Sequence, residues 1–366
     1  MSRANIREGV IWSQPETDEA AETTQEMADD YVRMGCAEVK KMKVPEGNPN
    51  RASNKRILVV GGGVSGMTAA LEMAEAGYDT VLVEKSAALG GWASQLVKRV
   101  PSMQPYADPA DTGIAELAAR VSAHPRIKLH LNSTIAQTNG APGRFAVDIA
   151  QESGATVTEE VGALIQATGF TPYDMMQLPE LGAGKSPNVV DQLGLEKLVK
   201  AANGAAVKRP SDGGEVKSVV FIQCAGQRDE AMESGGKHLP YCSGHCCATS
   251  IKQAMYFKDA DPDVDAMVLY TDLRVPGMGE DFYRSAQSKG VTFAKGSASG
   301  VDPAERGARV RFRDLILDED AAVEADLVVL ATGQVANAGV NLDTWTQTVT
   351  EAEGGSEPAK ARRIEL

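Results

Sequence analysis

Four of the five cysteines in this 366-residue chain fall in one short segment: Cys224, Cys242, Cys246 and Cys247. Seventeen residues separate the first two, three the next, and none the last pair, while Cys36 stands alone near the start. Four thiolates are the ligand count of a cubane [4Fe–4S] cluster. Structural zinc also takes four, usually as two C-x-x-C knuckles, and this segment contains no C-x-x-C. The adjacent pair Cys246–Cys247 suits a larger cluster better than a small tetrahedral ion. Structural zinc and free or disulfide thiols are the other readings. His245, beside the pair, is an alternative ligand or a hydrogen-bond donor.

A second constellation is glycine-based. Gly61, Gly63 and Gly66 form G-x-G-x-x-G, with Gly62, Val64 and Ser65 between them. The first glycine permits a tight turn, the second lets a pyrophosphate approach the backbone, and the third lets helix and strand pack closely. The N–H groups of the helix start then face the phosphates. Glu84, 18 residues after Gly66, is placed to accept both ribose hydroxyls and to repel a 2′-phosphate. Glu84–Lys85 is followed by Leu89–Gly90–Gly91–Trp92, a pattern that resembles two-dinucleotide-binding flavoproteins and favours FAD over NAD. Thr168 and Gly169 of a later Ala-Thr-Gly strand are expected beside the same cofactor.

These residues need a frame. A strand at Arg56–Val60 runs into the glycines, a helix is expected from Ser65 to Ala76, and a second strand covers Thr80–Glu84: a βαβ unit. Residues 127–168 read as short strands, with turns at Asn139–Gly140 and Glu152–Gly154. The pattern repeats with a strand at Ser218–Gln223, a helix from about Thr249 to Lys258, a strand at Ala266–Thr271 and a second Ala-Thr-Gly ending at Gly333. In the repeat Cys224 occupies the place of the first glycine, and Cys224–Ala225–Gly226–Gln227–Arg228–Asp229 lacks the phosphate cradle. The fold class expected is α/β: a Rossmann-type FAD domain over 55–172, completed by 336–366, with a nucleotide-binding-like domain over 173–335 inserted in it. Residues 1–54 read as a helical extension and linker. There Ser13 and Glu16 suggest a capping box, with Pro15 in the first turn, and Met27, Tyr31 and Met34 a stripe that docks on the protein itself.

Apolar residues make up 43% and charged residues 24% of the chain, ordinary for a globular protein. A net charge of −13 argues against nucleic acid. No apolar run is long enough to span a membrane, and no signal-peptide core opens the chain. A cytoplasmic setting, without structural disulfides, is therefore expected. No cysteine lies between Cys36 and Cys224, so the redox cysteine pair of flavin disulfide reductases is missing beside Gly90–Gly91.

The stretch ILVVGGGVSGMTAALEMAEAGYDTVLVEKSAALGGW resembles the FAD fingerprint of the A-type subunit family of heterodisulfide reductases. RPSDGGEVKSVVFIQCAGQRDE, followed by YCSGHCCATSIKQA, resembles its cluster segment. The resemblance covers roughly residues 55–335. It implies a thioredoxin-reductase-like fold, bound FAD, and one [4Fe–4S] cluster on Cys224, Cys242, Cys246 and Cys247. It also implies an electron-transfer oxidoreductase subunit that works with other subunits of a heterodisulfide-reductase-like complex, with a homodimer expected. Two departures narrow it. Val100–Tyr106 replaces the cysteine-rich stretch often found after the paired glycines, as in short members similar to those of sulfur-oxidising bacteria. Residues 334–366 lack the glycine–aspartate motif with which relatives close the FAD domain. The competing readings are a stand-alone NAD(P)H-dependent flavin oxidoreductase with structural zinc, and a non-enzymatic assembly protein whose FAD is structural. No catalytic residue is assigned.

Overall fold

The protein is described by a computed structural model covering residues 2–43, 53–231, 233–235, 237–275 and 277–337. It divides into two compact units, Met1–Ala52 and Ser53–Leu366. In the first, α1 (Ile6–Gly9) precedes the long α2 (Asp18–Lys41). The N-cap of α2 is Thr17, whose hydroxyl accepts from the Ala20 N–H, with Asp18 and Glu19 in the first turn. The expected Ser13 capping box does not form. Ser13 ends a preceding 3-10 turn and donates to the Gly9 and Val10 carbonyls instead, so Pro15 stands before the helix rather than in it. Of the expected stripe, Tyr31 packs beside Gly9, whereas Met34 is exposed.

The second unit opens with β1 (Ile57–Val60), α3 (Val64–Glu75) and β2 (Thr80–Val83), followed by α4 (Ile114–Ala123) and β3 (Ile127–His130). A meander of β4 (Ser133–Ala141), β5 (Arg144–Gln151) and β6 (Thr156–Val161) leads to β7 (Ala163–Gln166). Strands β3, β2, β1 and β7 form a four-stranded parallel sheet in that order. Leu58, Val81 and Val83 face Val147, Ile149 and Val161 of the meander; Val59 and Leu82 face Met67, Leu71 and Val121 of the helices. This two-sided burial is what a short apolar run such as ILVV requires. The turn expected at Asn139–Gly140 lies three residues further on. Ala141 pairs with Arg144, so Pro142–Gly143 makes the turn, with Gly143 at φ +87. Proline followed by a glycine at positive φ is the stronger turn former. The Glu152–Gly154 turn is observed, with the Gly154 N–H donating to Gln151 O at 2.9 Å.

Strand β8 (Phe170–Pro172) then leads to β9 (Val189–Asp191), α5 (Gln192–Ala202), β10 (Ser218–Ala225), α6 (Cys246–Ala260), β11 (Asp265–Tyr270) and α7 (Gly279–Ser288). After these come β12 (Thr292–Ala304), β13 (Gly307–Asp314), β14 (Glu319–Ala325), β15 (Leu327–Thr332) and β16 (Gln334–Ala336). The seven-stranded sheet runs β14-β13-β12-β11-β10-β15-β9, parallel from β12 to β9 and antiparallel across the β12–β13–β14 hairpins. Val219, Phe221, Leu327 and Val329 bury one face against α5, α6 and α7. Strands β8 and β16 pair antiparallel where the chain enters and leaves this second sheet. Helix α6 starts at Cys246, three residues before the expected Thr249, so two of the cysteines lie inside it. The expected completion of the first sheet by 336–366 falls, from residue 338 onward, outside the described residues.

Candidate functional site

At the carboxyl ends of β1, β2 and β7 the glycine residues, Glu84 and the Ala-Thr-Gly strand meet. Gly61 sits at φ +106, and a Cβ there would run into the Ala167 carbonyl. A Cβ on Gly66 would collide with the Gly61 carbonyl, so these two glycines serve close packing. Gly63 differs: a Cβ there would meet nothing within 4 Å. Gly63 is also the N-cap of α3, which has no side-chain cap. The first N–H groups, at Val64, Ser65 and Gly66, therefore lack a side-chain capping partner, and an anion suits such a helix start. Glu84 is buried and accepts from the Gly62 N–H at 2.6 Å and the Ser86 N–H at 2.8 Å. Each carboxylate oxygen keeps a further acceptor site for a hydroxyl. Lys85 is exposed.

The paired glycines close over this loop. The Gly90 N–H donates to Gly62 O at 2.9 Å, and a Cβ on Gly91 would lie 3.1 Å from the Gly63 Cα. Trp92 donates from Nε1 to Phe170 O at 2.8 Å and stacks on the Phe170 ring, centroids 5.9 Å apart. Thr168 Oγ1 is buried without a partner, although its carbonyl accepts from Asn337 Nδ2 at 3.0 Å. An open cradle at Gly63 and an orphaned hydroxyl at Thr168, on the same rim, fit a dinucleotide that supplies the missing contacts.

The cysteines occupy the corresponding end of the second sheet. Cys224 lies in an irregularity between β10 and β15, at φ +56, an uncommon conformation for a residue with a side chain. Bulges of this kind re-aim a side chain beside functional sites. Cys246 and Cys247 open α6 behind His245, at the positive end of its dipole, which favours thiolates. Gln227 Nε2 donates to Cys246 Sγ at 3.3 Å, the Gly244 N–H to Cys242 Sγ at 3.4 Å, and the Arg274 N–H to Cys247 Sγ at 3.5 Å. Cys246 Sγ donates in turn to Thr332 O at 3.3 Å. Burial pushes the Cys246 thiol up to about 12, against the hydrogen bond from Gln227, and the charges of Cys247, Cys224 and Cys242 add to the rise. Cys247 is raised by burial as well, with Cys224 and Cys242 again contributing. The four thiols thus share one electrostatic neighbourhood. Among the described residues, no three His, Cys, Asp or Glu side chains gather as ligands of a single metal ion. Burial lowers His245, whose ring is tilted against Phe170 at 6.2 Å. Trp92, Phe170 and His245 therefore form a chain of rings between the glycine loops and the cysteines. A Cβ on Gly333 would meet Leu239, Gln227 and Ser243 at 2.6–2.8 Å, so the second Ala-Thr-Gly motif seats the cysteine loop.

A buried ion pair stands next to both ends. Lys252 Nζ lies 2.8 Å from Glu196 Oε1, with both side chains no more than 2% exposed. Lys252 also donates to Lys98 O at 2.8 Å, and Glu196 accepts from the Val97 N–H at 2.8 Å. The segment after Trp92 is thereby strapped to α5 and α6. Sequence reasoning passed over Gln227, Arg228, Glu196 and Lys252. The signal for the first two was their place directly after Cys224; for the second two, charged residues in apolar helical stretches.

Parallel strands, a glycine turn at a helix start and a buried acid at the next strand end define a Rossmann-type dinucleotide-binding domain. Residues 56–173 match the FAD dependent oxidoreductase family. The chain is similar to the A-type subunits of heterodisulfide reductases. It is 30% identical to the second A-type iron-sulfur subunit of the CoB–CoM heterodisulfide reductase of Methanopyrus kandleri, over 96% of this chain and 64% of that protein. It is also 30% identical to the A-type subunit of the H(2):CoB–CoM heterodisulfide,ferredoxin reductase of Methanothermobacter marburgensis, over 94% of this chain and 62% of that one. The chain thus spans less than two thirds of the length of these relatives. Among solved structures it is similar to T. acidophilum thioredoxin reductase, at 13% identity and a TM-score of 0.48, covering 77% of this chain and 79% of that one. Among the described residues no helix is long and apolar enough to cross a membrane.

Proposed function

We propose that this chain is an electron-transfer subunit that holds FAD on the first sheet and a [4Fe–4S] cluster on the second, within a heterodisulfide-reductase-like complex of sulfur or disulfide metabolism. The observation that carries the reading is Cys224. It stands in a bulge at the strand end where a second dinucleotide would need its glycine turn, and Cys242, Cys246 and Cys247 share its electrostatic environment. On this reading residues 55–172 bind the flavin and 173–335 form the inserted domain that bears the cluster.

Gly61, Gly62, Gly63, Val64, Ser65 and Gly66 would hold the pyrophosphate, and Glu84 the ribose. Lys85, Gly90, Gly91, Trp92, Thr168 and Gly169 would line the rest of the cofactor's path. Cys224, Cys242, Cys246 and Cys247 would ligate the iron. Bound FAD would supply two-electron chemistry and the cluster one-electron chemistry. The chain's own residues orient both and exclude water: Trp92 and Phe170 fill the space between the two loops, and the sulfurs receive N–H donors from Gln227, Gly244 and Arg274.

Anaerobic purification with flavin, iron and acid-labile sulfide analysis, and visible spectra before and after dithionite, tests the reading. Flavin with iron and sulfide is expected. Zinc without iron would overturn it in favour of a stand-alone NAD(P)H-dependent flavin oxidoreductase. Flavin reduction by partner subunits, but not by NADH alone, is the expected behaviour of one component of a larger complex.

A further inference from the structure

Arg228 joins the three pieces of chain around the cysteines. It follows Cys224 by four residues and sits at φ +62, a left-handed conformation unusual for a long side chain. Its N–H donates to Tyr241 O at 3.2 Å, next to Cys242. Its guanidinium pairs with Asp272 Oδ2 at 2.8 Å and donates to Thr271 Oγ1 at 3.3 Å; Asp272 first, and the nearby Cys224 side chain after it, raise its pKa. The same 271–274 loop reaches Cys247, through the Asp272 carbonyl at 4.0 Å and the Arg274 N–H at 3.5 Å.

A guanidinium stays charged and only donates, so among the cysteine-bearing loops it is a fixed positive charge. Reducing an iron–sulfur cluster adds negative charge, and cluster potentials follow net charge and the hydrogen bonds to the sulfurs. Asp272, with its side chain 56% exposed, offsets part of the cation from the other side. We propose that Arg228 sets the potential of the cysteine site: its guanidinium, held among the cysteine-bearing loops by Thr271 and Asp272, favours the reduced state of the cluster. The inference rests on the reading of these cysteines as cluster ligands. A merely structural Arg228 would tie the loops together without a directed effect of charge.

The two roles separate by sign. Arg228→Gln removes the cation. Asp272→Asn removes its counter-charge while leaving the Asp272 carbonyl in place. Wild type, both variants and Arg228→Lys are purified anaerobically as the full chain, assayed for iron and flavin, and titrated with dithionite while the reduced cluster is followed by EPR. With iron and flavin retained, Arg228→Gln is expected to lower the reduced-to-oxidised ratio at fixed potential by about tenfold, or about 59 mV for one electron. Arg228→Lys should fall between it and wild type, and Asp272→Asn should shift the other way. Equal midpoints in wild type and iron-replete Arg228→Gln would overturn the proposal, as would shifts of the same sign in both variants. If Arg228→Gln loses its iron, an unshifted Asp272→Asn overturns it and an upward shift sustains it. Wild type without iron would overturn the cluster reading itself, and is recognised before any potential is measured.

Discussion

At the residue scale, two glycines of one motif have opposite tasks. A Cβ on Gly63 has open space in the protein alone, whereas one on Gly66 strikes the Gly61 backbone. Gly63→Val is therefore expected to fold with near wild-type thermal stability yet purify with little flavin. Gly66→Ala should lower the unfolding temperature with or without flavin, because a backbone contact must shift. Absorbance at the flavin band together with a thermal melt of each variant checks both; full flavin in Gly63→Val would remove the cofactor path from this loop. Glu84 links two ends of the same site through its bonds to Gly62 and Ser86. Glu84→Ala should weaken FAD binding by about 1.5–3 kcal/mol, the range of a hydrogen bond to a charged group. An unchanged dissociation constant by flavin fluorescence titration would place the ribose elsewhere.

Among the elements, α6 carries the densest set of constraints. Its first turn holds Cys246 and Cys247, and its middle holds Lys252 in the buried pair with Glu196. Cys224→Ala, Cys242→Ala, Cys246→Ala and Cys247→Ala should each lose iron and broad visible absorption, with FAD retained and Cys36→Ala unaffected. Iron loss from only three of the four, measured by metal analysis, would move the fourth ligand, with His245 the first candidate. Glu196→Gln leaves the Lys252 ammonium buried without its counter-charge, a change that typically costs about 3–5 kcal/mol. It should also release the strap on residues 97–98, read as faster amide hydrogen exchange there and a lower midpoint in urea.

For the whole molecule, acid stability has a definite sign. Burial alone would raise the Glu159 carboxyl, but hydrogen bonds from Lys128 and His130 and the charge of Arg56 hold it below its ordinary value. Arg56 Nη1 lies 2.5 Å and Lys128 Nζ 2.6 Å from its oxygens, which joins β6 to β3 and to the residue preceding β1. A carboxyl whose folded pKa is depressed adds stability above its unfolded pKa, and that stability is lost as pH falls through the folded value. Urea unfolding at pH values descending through and below the ordinary value of 4.5 should show wild type losing stability faster than Glu159→Gln. Parallel curves would mean that the network contributes no net pH dependence.

Much of this was legible in the residues themselves. Gly61, Gly63 and Gly66 between an apolar run and a helix, with an acid 18 residues on, specify a βαβ turn, because only glycine fits the turn at Gly61 and the close packing at Gly66. Cys224 in the place of a glycine likewise marked the second sheet as altered. Local rules failed where two turn formers competed, as at Asn139–Gly140 against Pro142–Gly143, and where Thr17 outdid Ser13 as a cap. The start of α6 lies three residues before the expected Thr249, because the Thr249 N–H donates to His245 O at 3.1 Å and so closes a turn that includes Cys246 and Cys247. Tertiary structure alone decided which groups surround the sulfurs. Arg228 meets Thr271 and Asp272 past the end of β11, and Arg274, Asp272 and Thr332 come from distant strand ends. Spacing along the chain determines which backbone turns are available; which charges then share a low-dielectric space depends on how β10, β11 and β15 lie side by side.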